Sequence, residues 1–170
     1  MVSDRFAEGE PGAITASLAH VPELLCAISP FLRAIYGPSA ISPRLKEIAV
    51  LRVSVRMQCR FCTQTHTAVA RRSGLSRDEV VALRGRAPAE TAFSDPRERA
   101  LVRWAEAMAL GPDPVAPAIM SLLAESFADH EVVELAMIAS ATMMLARYCT
   151  ALELPPSAAT LEQLRAEELL

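Results

Sequence analysis

Ser42-Pro43 and Asp95-Pro96 each place a capping side chain directly ahead of a proline, the order that opens an α-helix, and Gly74, Gly85 and Gly111 stand where such helices would stop. Ser76-Arg77-Asp78-Glu79 adds a capping box between two of those glycines. The punctuation predicts helices over about 43–57, 59–73, 77–84 and 96–110. Asp113-Pro114 repeats the same start, and Asp129 is placed to cap a long helix to about Leu152, stopped by Pro155-Pro156. Pro22 and Pro30 are expected to divide the stretch from Ile14 to Tyr36 into short helical pieces, with Gly37-Pro38 as the stop. No segment alternates with a period of two, so the fold class is all-α, a helix-rich single-domain bundle. Residues 1–12 read as a flexible leader, 13–154 as the helical domain and 155–170 as a C-terminal helical tail.

A chain of 170 residues that is 52% apolar but only 5% aromatic suits an Ala/Leu/Val-rich bundle, and a mean hydropathy of +0.25 predicts that some surface meets another subunit. Its net charge is −3 with the basic residues dispersed, so no nucleic-acid partner is expected. The longest uncharged apolar stretch near the C-terminus, Leu135 to Ala146, is shorter than the ~20 residues of a membrane-spanning helix, so no membrane partner is expected either. Asp4, Arg5, Glu8 and Glu10 leave no basic-then-apolar secretory signal, and the predicted location is cytoplasmic. In that reducing compartment a close cysteine pair serves catalysis, redox sensing or metal binding more often than it staples a fold.

Such a pair is present at Cys59 and Cys62, with His66 four residues beyond. On a helix these three positions form a stripe about 60° wide at roughly 100° per residue. A helix N-terminus favours thiolate over thiol, and Arg60 adds positive charge. One thiolate can then attack an oxidised substrate and the other resolve the product, while His66 exchanges protons one turn from Cys62. Glu47 lies on the apolar side of its predicted helix beside Ser54, with Arg52 and Arg56 opposite and expected to face water. A carboxylate directed inward needs partners. The bland alternative is a structural salt bridge to Arg44. Zinc held by Cys59, Cys62, His66 and Glu47 is awkward around a tetrahedron because three ligands share one helix, and no metal is assigned. Thr63 after the second cysteine rules out a c-type haem attachment. Cys26 and Cys149 are expected to be small core residues, His20 and His130 to cap or face solvent, and Trp104 to pack.

Residues 42–53, Ser-Pro-Arg-Leu-Lys-Glu-Ile-Ala-Val-Leu-Arg-Val, are followed by Cys59-x-x-Cys62-x-x-x-His66, with twelve residues from Glu47 to Cys59, and then by Ala70-Arg71-Arg72-Ser73-Gly74-Leu75-Ser76. With Phe93-Ser94-Asp95 and Trp104-Ala105-Glu106-Ala107 downstream, this pattern resembles the carboxymuconolactone decarboxylase superfamily, in its alkylhydroperoxidase (AhpD-like) branch, from about residue 20 to 152. The resemblance implies an AhpD-like helical bundle, a homo-oligomer (trimer or hexamer) and an antioxidant peroxidase acting on a small hydroperoxide. It implies no bound cofactor, only an external dithiol electron donor. Carried onto this chain, Cys62 attacks, Cys59 resolves, and Glu47 with His66 relays protons. Phe61 stands where AhpD has a further relay histidine, which implies weaker peroxidase activity or a different substrate. The same thiol pair also suits a disulfide oxidoreductase, and two other classes remain open: a non-enzymatic redox sensor or stress-linked scaffold, and an acid-base enzyme of the lactone decarboxylase type using Glu47 and His66.

Overall fold

The computed structural model describes residues 12–111 and 113–170. Its helices are α1 (Ala13–Leu18), α2 (Pro22–Tyr36), α3 (Pro43–Arg56), α4 (Arg60–Arg72), α5 (Arg77–Leu83), α6 (Ala89–Ala92), α7 (Pro96–Met108), α8 (Pro117–Ser126), α9 (Asp129–Ala151) and α10 (Ala158–Ala166). No strand occurs among the described residues, and the class is all-α as expected. The leader, apart from Gly12 at the N-cap of α1, lies outside the described residues.

The three strongest start signals act as expected. Ser42 Oγ accepts the Leu45 N–H, Asp95 Oδ1 accepts the Arg97 N–H, and Ser76 and Glu79 bond reciprocally. Other signals are overridden. Pro30 sits inside an unbroken α2, most of which is exposed with Ile35 as its buried residue, so water can serve the carbonyl left without a donor. The helix expected at Asp113-Pro114 begins instead at Pro117, whose ring holds Ala116 extended at ψ 137° and prevents an earlier start from continuing. Asp129 lies in the first turn of α9 rather than at its cap, and Glu131 Oε2 accepts the Ala128 N–H there.

Helix α3 is the centre of the fold. It packs against α4, α5, α7 and α9, and residues 46–54 are buried without a break. Ile48, Leu51 and Val53 join Leu101, Trp104 and Leu135 in the main core. Each such aliphatic side chain contributes about 1.5–3 kcal/mol on burial. Trp104 therefore packs as predicted. Burial on every side also encloses three charges. Lys46 Nζ donates to the carbonyls of Ile35 (2.9 Å) and Gly37 (2.7 Å) and pairs with Glu134 at 3.1 Å. Arg52, expected to face water, is 8% exposed, and donates to the Leu83 carbonyl at 2.9 Å and to Glu106 at 2.7 Å. It is drawn inward because α5 and α7 flank α3 on the side the helical wheel left open. Glu47 is the third buried charge.

Arg44 does not pair with Glu47. Its guanidinium bridges Glu98 (2.6 and 3.0 Å), Glu79 and the Gly74 carbonyl, tying α3 to α5 and α7. Helix α9 is longer than its uncharged stretch. Among the described residues it is the one helix long and apolar enough to cross a bilayer by length and composition. It is also the helix on which α2, α3, α4 and α8 pack. Helix α10 packs on α4, and Leu164 and Leu169 are fully buried.

Arg44→Met leaves two carboxylates without their main partner and should lower unfolding free energy by about 2–4 kcal/mol in denaturant titrations. Burial alone would raise the Glu79 carboxyl, but hydrogen bonds from Arg44 and Ser76 outweigh it and hold Glu79 below its ordinary 4.5. The Ala128 N–H does the same for Glu131, and Arg71 for Glu167. A depressed folded-state value adds stability that is present above the ordinary value and lost as pH falls through the folded one. Stability should therefore drop on acidification below about pH 4.5, less steeply in Arg44→Met.

Candidate active site

Three residues, Met57 to Cys59, connect α3 to α4. Past the C-cap Met57, Gln58 adopts the left-handed conformation (φ 55°), its N–H bonds the Val55 carbonyl at 3.0 Å, and the Cys59 N–H bonds the Ser54 carbonyl at 3.1 Å. This is a Schellman stop built on a glutamine where glycine is usual. Cys59 is at once its last residue and the N-cap of α4, and its sulfur accepts the Cys62 N–H at 3.2 Å. The expected single-helix stripe therefore holds for Cys62 and His66, with Cys59 just ahead of the helix. Cys59 and Cys62 form a disulfide, with Cα atoms 5.3 Å apart. Both are buried in a small cluster with Ala146, Cys149 and Leu154.

The tight turn lays α4 along α3 so that His66 faces Glu47. Glu47 Oε2 lies 3.0 Å from His66 Nδ1, with the Glu47 side chain 10% and the His66 side chain 23% exposed. A carboxylate can only accept, so Nδ1 carries the hydrogen it donates to Glu47, and Nε2 remains for proton transfer. The four expected residues thus lie across one α3–α4 contact, with the thiol pair one helical turn from His66. Ser54, expected beside Glu47, is fully buried, and its hydroxyl has no partner among the described residues.

Tyr36, at the end of α2, is a neighbour that sequence reasoning missed. Its ring centroid is 6.3 Å from that of His66, and its hydroxyl lies 3.1 Å from Thr142 Oγ1. Thr142 spends its own hydrogen on the Ile138 carbonyl at 2.8 Å, so Tyr36 donates to Thr142. Burial, and then the nearby Glu47 and Cys149, push the Tyr36 phenol above its usual 10, against the lowering effect of Thr142. It stays a protonated donor at the edge of the His66 ring. Tyr36 stands outside the Glu–Cys–Cys–His spacing, so only the packing of α2 on α9 brings it in.

The remaining cysteines diverge. Cys26 is an exposed thiol, contrary to expectation, because α2 rests on the bundle by one face only. Cys149 is buried as expected, and burial pushes its thiol up to about 12. His130 is exposed in the first turn of α9. Among the described residues, no three His, Cys, Asp or Glu side chains converge to hold a metal. At pH 8 about 1 in 10⁴ of the Cys149 thiols is ionised, so a maleimide should take up one equivalent in the native oxidised protein, at Cys26, and a second only in denaturant. Two native equivalents would contradict this placement.

The site can be set against known proteins. The family model described as the carboxymuconolactone decarboxylase family matches residues 22–107, just over half of the chain. No functionally curated protein matches the chain. Three solved structures share its fold at 21% identity: the debrominase Bmp8 (TM-score 0.77, covering 89% of this chain and 80% of that one), an uncharacterized peroxidase-related protein with an alkylhydroperoxidase AhpD core from Ralstonia eutropha JMP134 (0.75, 85% and 76%), and a peroxidase-related protein from Silicibacter sp. TM1040 (0.78, 87% and 78%). With its helical fold and its 22–107 match, the chain belongs to the carboxymuconolactone decarboxylase family.

Proposed function

We propose that this protein is a thiol-dependent peroxidase of the alkylhydroperoxidase type, acting in the cytoplasm on a small hydroperoxide and reset by an external dithiol. One observation carries the reading: an oxidisable Cys59–Cys62 pair sits at the start of α4, one turn before a histidine that a buried glutamate holds by Nδ1. In the reduced protein His66 Nε2 takes the Cys62 proton, and the Cys62 thiolate attacks the terminal peroxide oxygen. The O–O bond breaks, the alcohol leaves with a proton delivered by His66, and Cys62 becomes a sulfenic acid. The Cys59 thiolate, favoured by the helix N-terminus and the Cys62 N–H, displaces hydroxide, which departs as water, and the disulfide forms. A dithiol then returns two electrons. Glu47 keeps the imidazole in the tautomer that presents Nε2. Phe61 contributes no proton, so the relay rests on Glu47 and His66, with Tyr36 beside them.

A second reading takes the same thiols to a halogenated aromatic, the substrate class implied by the debrominase name of one structural neighbour. A cavity of about 500 Å³ next to Cys59, with Phe61 on its wall, supports it. A stoichiometric redox sensor and a thiol-independent acid-base enzyme are distinguished by turnover and by loss of the cysteines. The apolar stripe of Val133, Met137 and Met144, about 40° wide on the outer side of α9, supports assembly into a trimer or hexamer.

Consumption of cumene hydroperoxide with dithiothreitol should fall to background in Cys62→Ser and Cys59→Ser, and Glu47→Gln should lose about 10²–10³ in kcat/KM. Equal rates for wild type and Cys62→Ser would sink the peroxidase assignment. Light scattering should give a multiple of the 18.4 kDa chain mass, reduced by Met137→Glu, and a monomeric wild type would contradict the proposed assembly.

A further inference from the structure

Two cavities lie beside the Gln58–Arg60 turn, and Cys59 lines the larger of them. The larger, about 500 Å³, lies between the start of α4 and the α9–α10 turn, where Cys59, Phe61, Leu154, Pro155 and Leu161 face it. The smaller, about 270 Å³, is lined by Val55, Thr63, Gln64, Arg84 and Arg86. Gln58 and Arg60, the residues on either side of Cys59, line both. Cys62 lines neither.

The smaller cavity carries three guanidiniums and no carboxylate side chain among the described residues. Among the described residues no hydrogen bond or ion pair holds the Arg60 side chain. Arg84 spends a donor on the Leu169 carbonyl, and Arg86 reaches a main-chain oxygen of Leu170, the last described residue, at 3.3 Å. Burial, and then the like charge of Arg86, push the Arg84 guanidinium below its usual value. Like charges gathered beside a cavity are stabilised by an anion that enters it. Gln64 also lines this cavity, and its buried amide oxygen has no partner among the described residues. The acid on the larger cavity, Glu153, lies at the α9–α10 turn with the prolines.

We propose that these adjacent cavities, which share Gln58 and Arg60, dock the thiol that reduces the Cys59–Cys62 disulfide, its apolar stem lying against Phe61, Leu154 and Leu161 and its anionic group, carboxylate or phosphate, on Arg60, Arg84 and Arg86. The inference rests on the thiol-redox reading and adds the chemical class of its electron donor. A reductant, unlike the oxidant, meets the protein in its disulfide form, and in that form Cys59 is the sulfur that lines the cavity. The donor thiol passes its proton to solvent and attacks Cys59 Sγ as the thiolate, the Cys59–Cys62 bond breaks, and Cys62 leaves as a thiolate that takes up a proton from solvent. A second donor thiol then attacks the donor sulfur of the mixed disulfide, releasing the Cys59 thiolate. The donor is oxidised to its disulfide and the protein gains two electrons.

The test compares two thiols with the same six-carbon stem, 6-mercaptohexanoate and 6-mercaptohexan-1-ol, as reductants of the oxidised full chain, with rates corrected for thiolate fraction. The acid should react about tenfold faster at low ionic strength, and added salt should shrink that advantage. Arg86→Met and Arg60→Met should each bring the acid-to-alcohol ratio toward one. Arg84→Met should do so too, but Arg84 also holds the chain end, so the other two variants decide the matter if it fails to fold. Equal rates for the two thiols, or a ratio unchanged in Arg60→Met and Arg86→Met, would overturn the docking site. A charge preference without any hydroperoxide turnover would leave the docking site standing and remove the peroxidase reading. Turnover with dithiothreitol and no charge preference would do the reverse.

Discussion

Enclosure of α3 on all sides is the constraint on which the rest depends. A helix with nine consecutive buried residues that include Lys46, Glu47 and Arg52 is stable only if each charge finds its own partner. Three different regions supply them: the α2 end and α9 for Lys46, α5 and α7 for Arg52, and α4 for Glu47. Each partner fixes the placement of one neighbour around α3. The site is therefore an outcome of the same requirement that orders the bundle, since His66 both satisfies a buried carboxylate and stands one turn from the thiols.

The α3–α4 connection turns that order into chemistry. Because the Gln58 stop and the Cys59 cap are consecutive residues, the chain reverses within the three residues Met57 to Cys59, and Cys59 and Cys62 sit at disulfide distance, their Cα atoms 5.3 Å apart. The α9–α10 turn repeats the device. Glu153 is left-handed at φ 51°, and the Leu154 N–H bonds the Cys149 carbonyl at 3.0 Å. The two turns enclose the larger cavity from opposite sides. A second, arginine-lined cavity lies on the other side of Gln58 and Arg60, so the residues flanking Cys59 serve both.

Much of this was legible along the chain, because capping is local chemistry. Ser42-Pro43, the Ser76 box and Asp95-Pro96 work through neighbours three residues away or fewer, and they mark true helix starts. The Glu47, Cys59, Cys62 and His66 spacing was legible for a similar reason: two helices joined by a three-residue turn leave little freedom in how they meet. What escaped depends on distant segments. Arg52 faces inward only because α5 and α7 lie where water was expected, and Arg44 prefers Glu79 and Glu98 over Glu47 for the same reason. Pro30 is tolerated and Cys26 exposed because α2 is buried along one face alone. Gln58 in a glycine conformation and Tyr36 beside His66 leave no local trace.

The thiol pair, the glutamate-held histidine and the flanking cavities converge on one event, the two-electron oxidation of Cys59 and Cys62 by a hydroperoxide. Trypsin cleaves after Arg56, Arg60 and Arg71, so a disulfide between these cysteines links the peptides 57–60 and 61–71 into one species. The most direct measurement adds one equivalent of hydroperoxide to the reduced protein, blocks remaining thiols, digests, and weighs the peptides before and after a dithiol chase. Formation of the linked pair within seconds and its loss on the chase is the predicted result. Persistence of two separately alkylated peptides at Cys59 and Cys62 would contradict it.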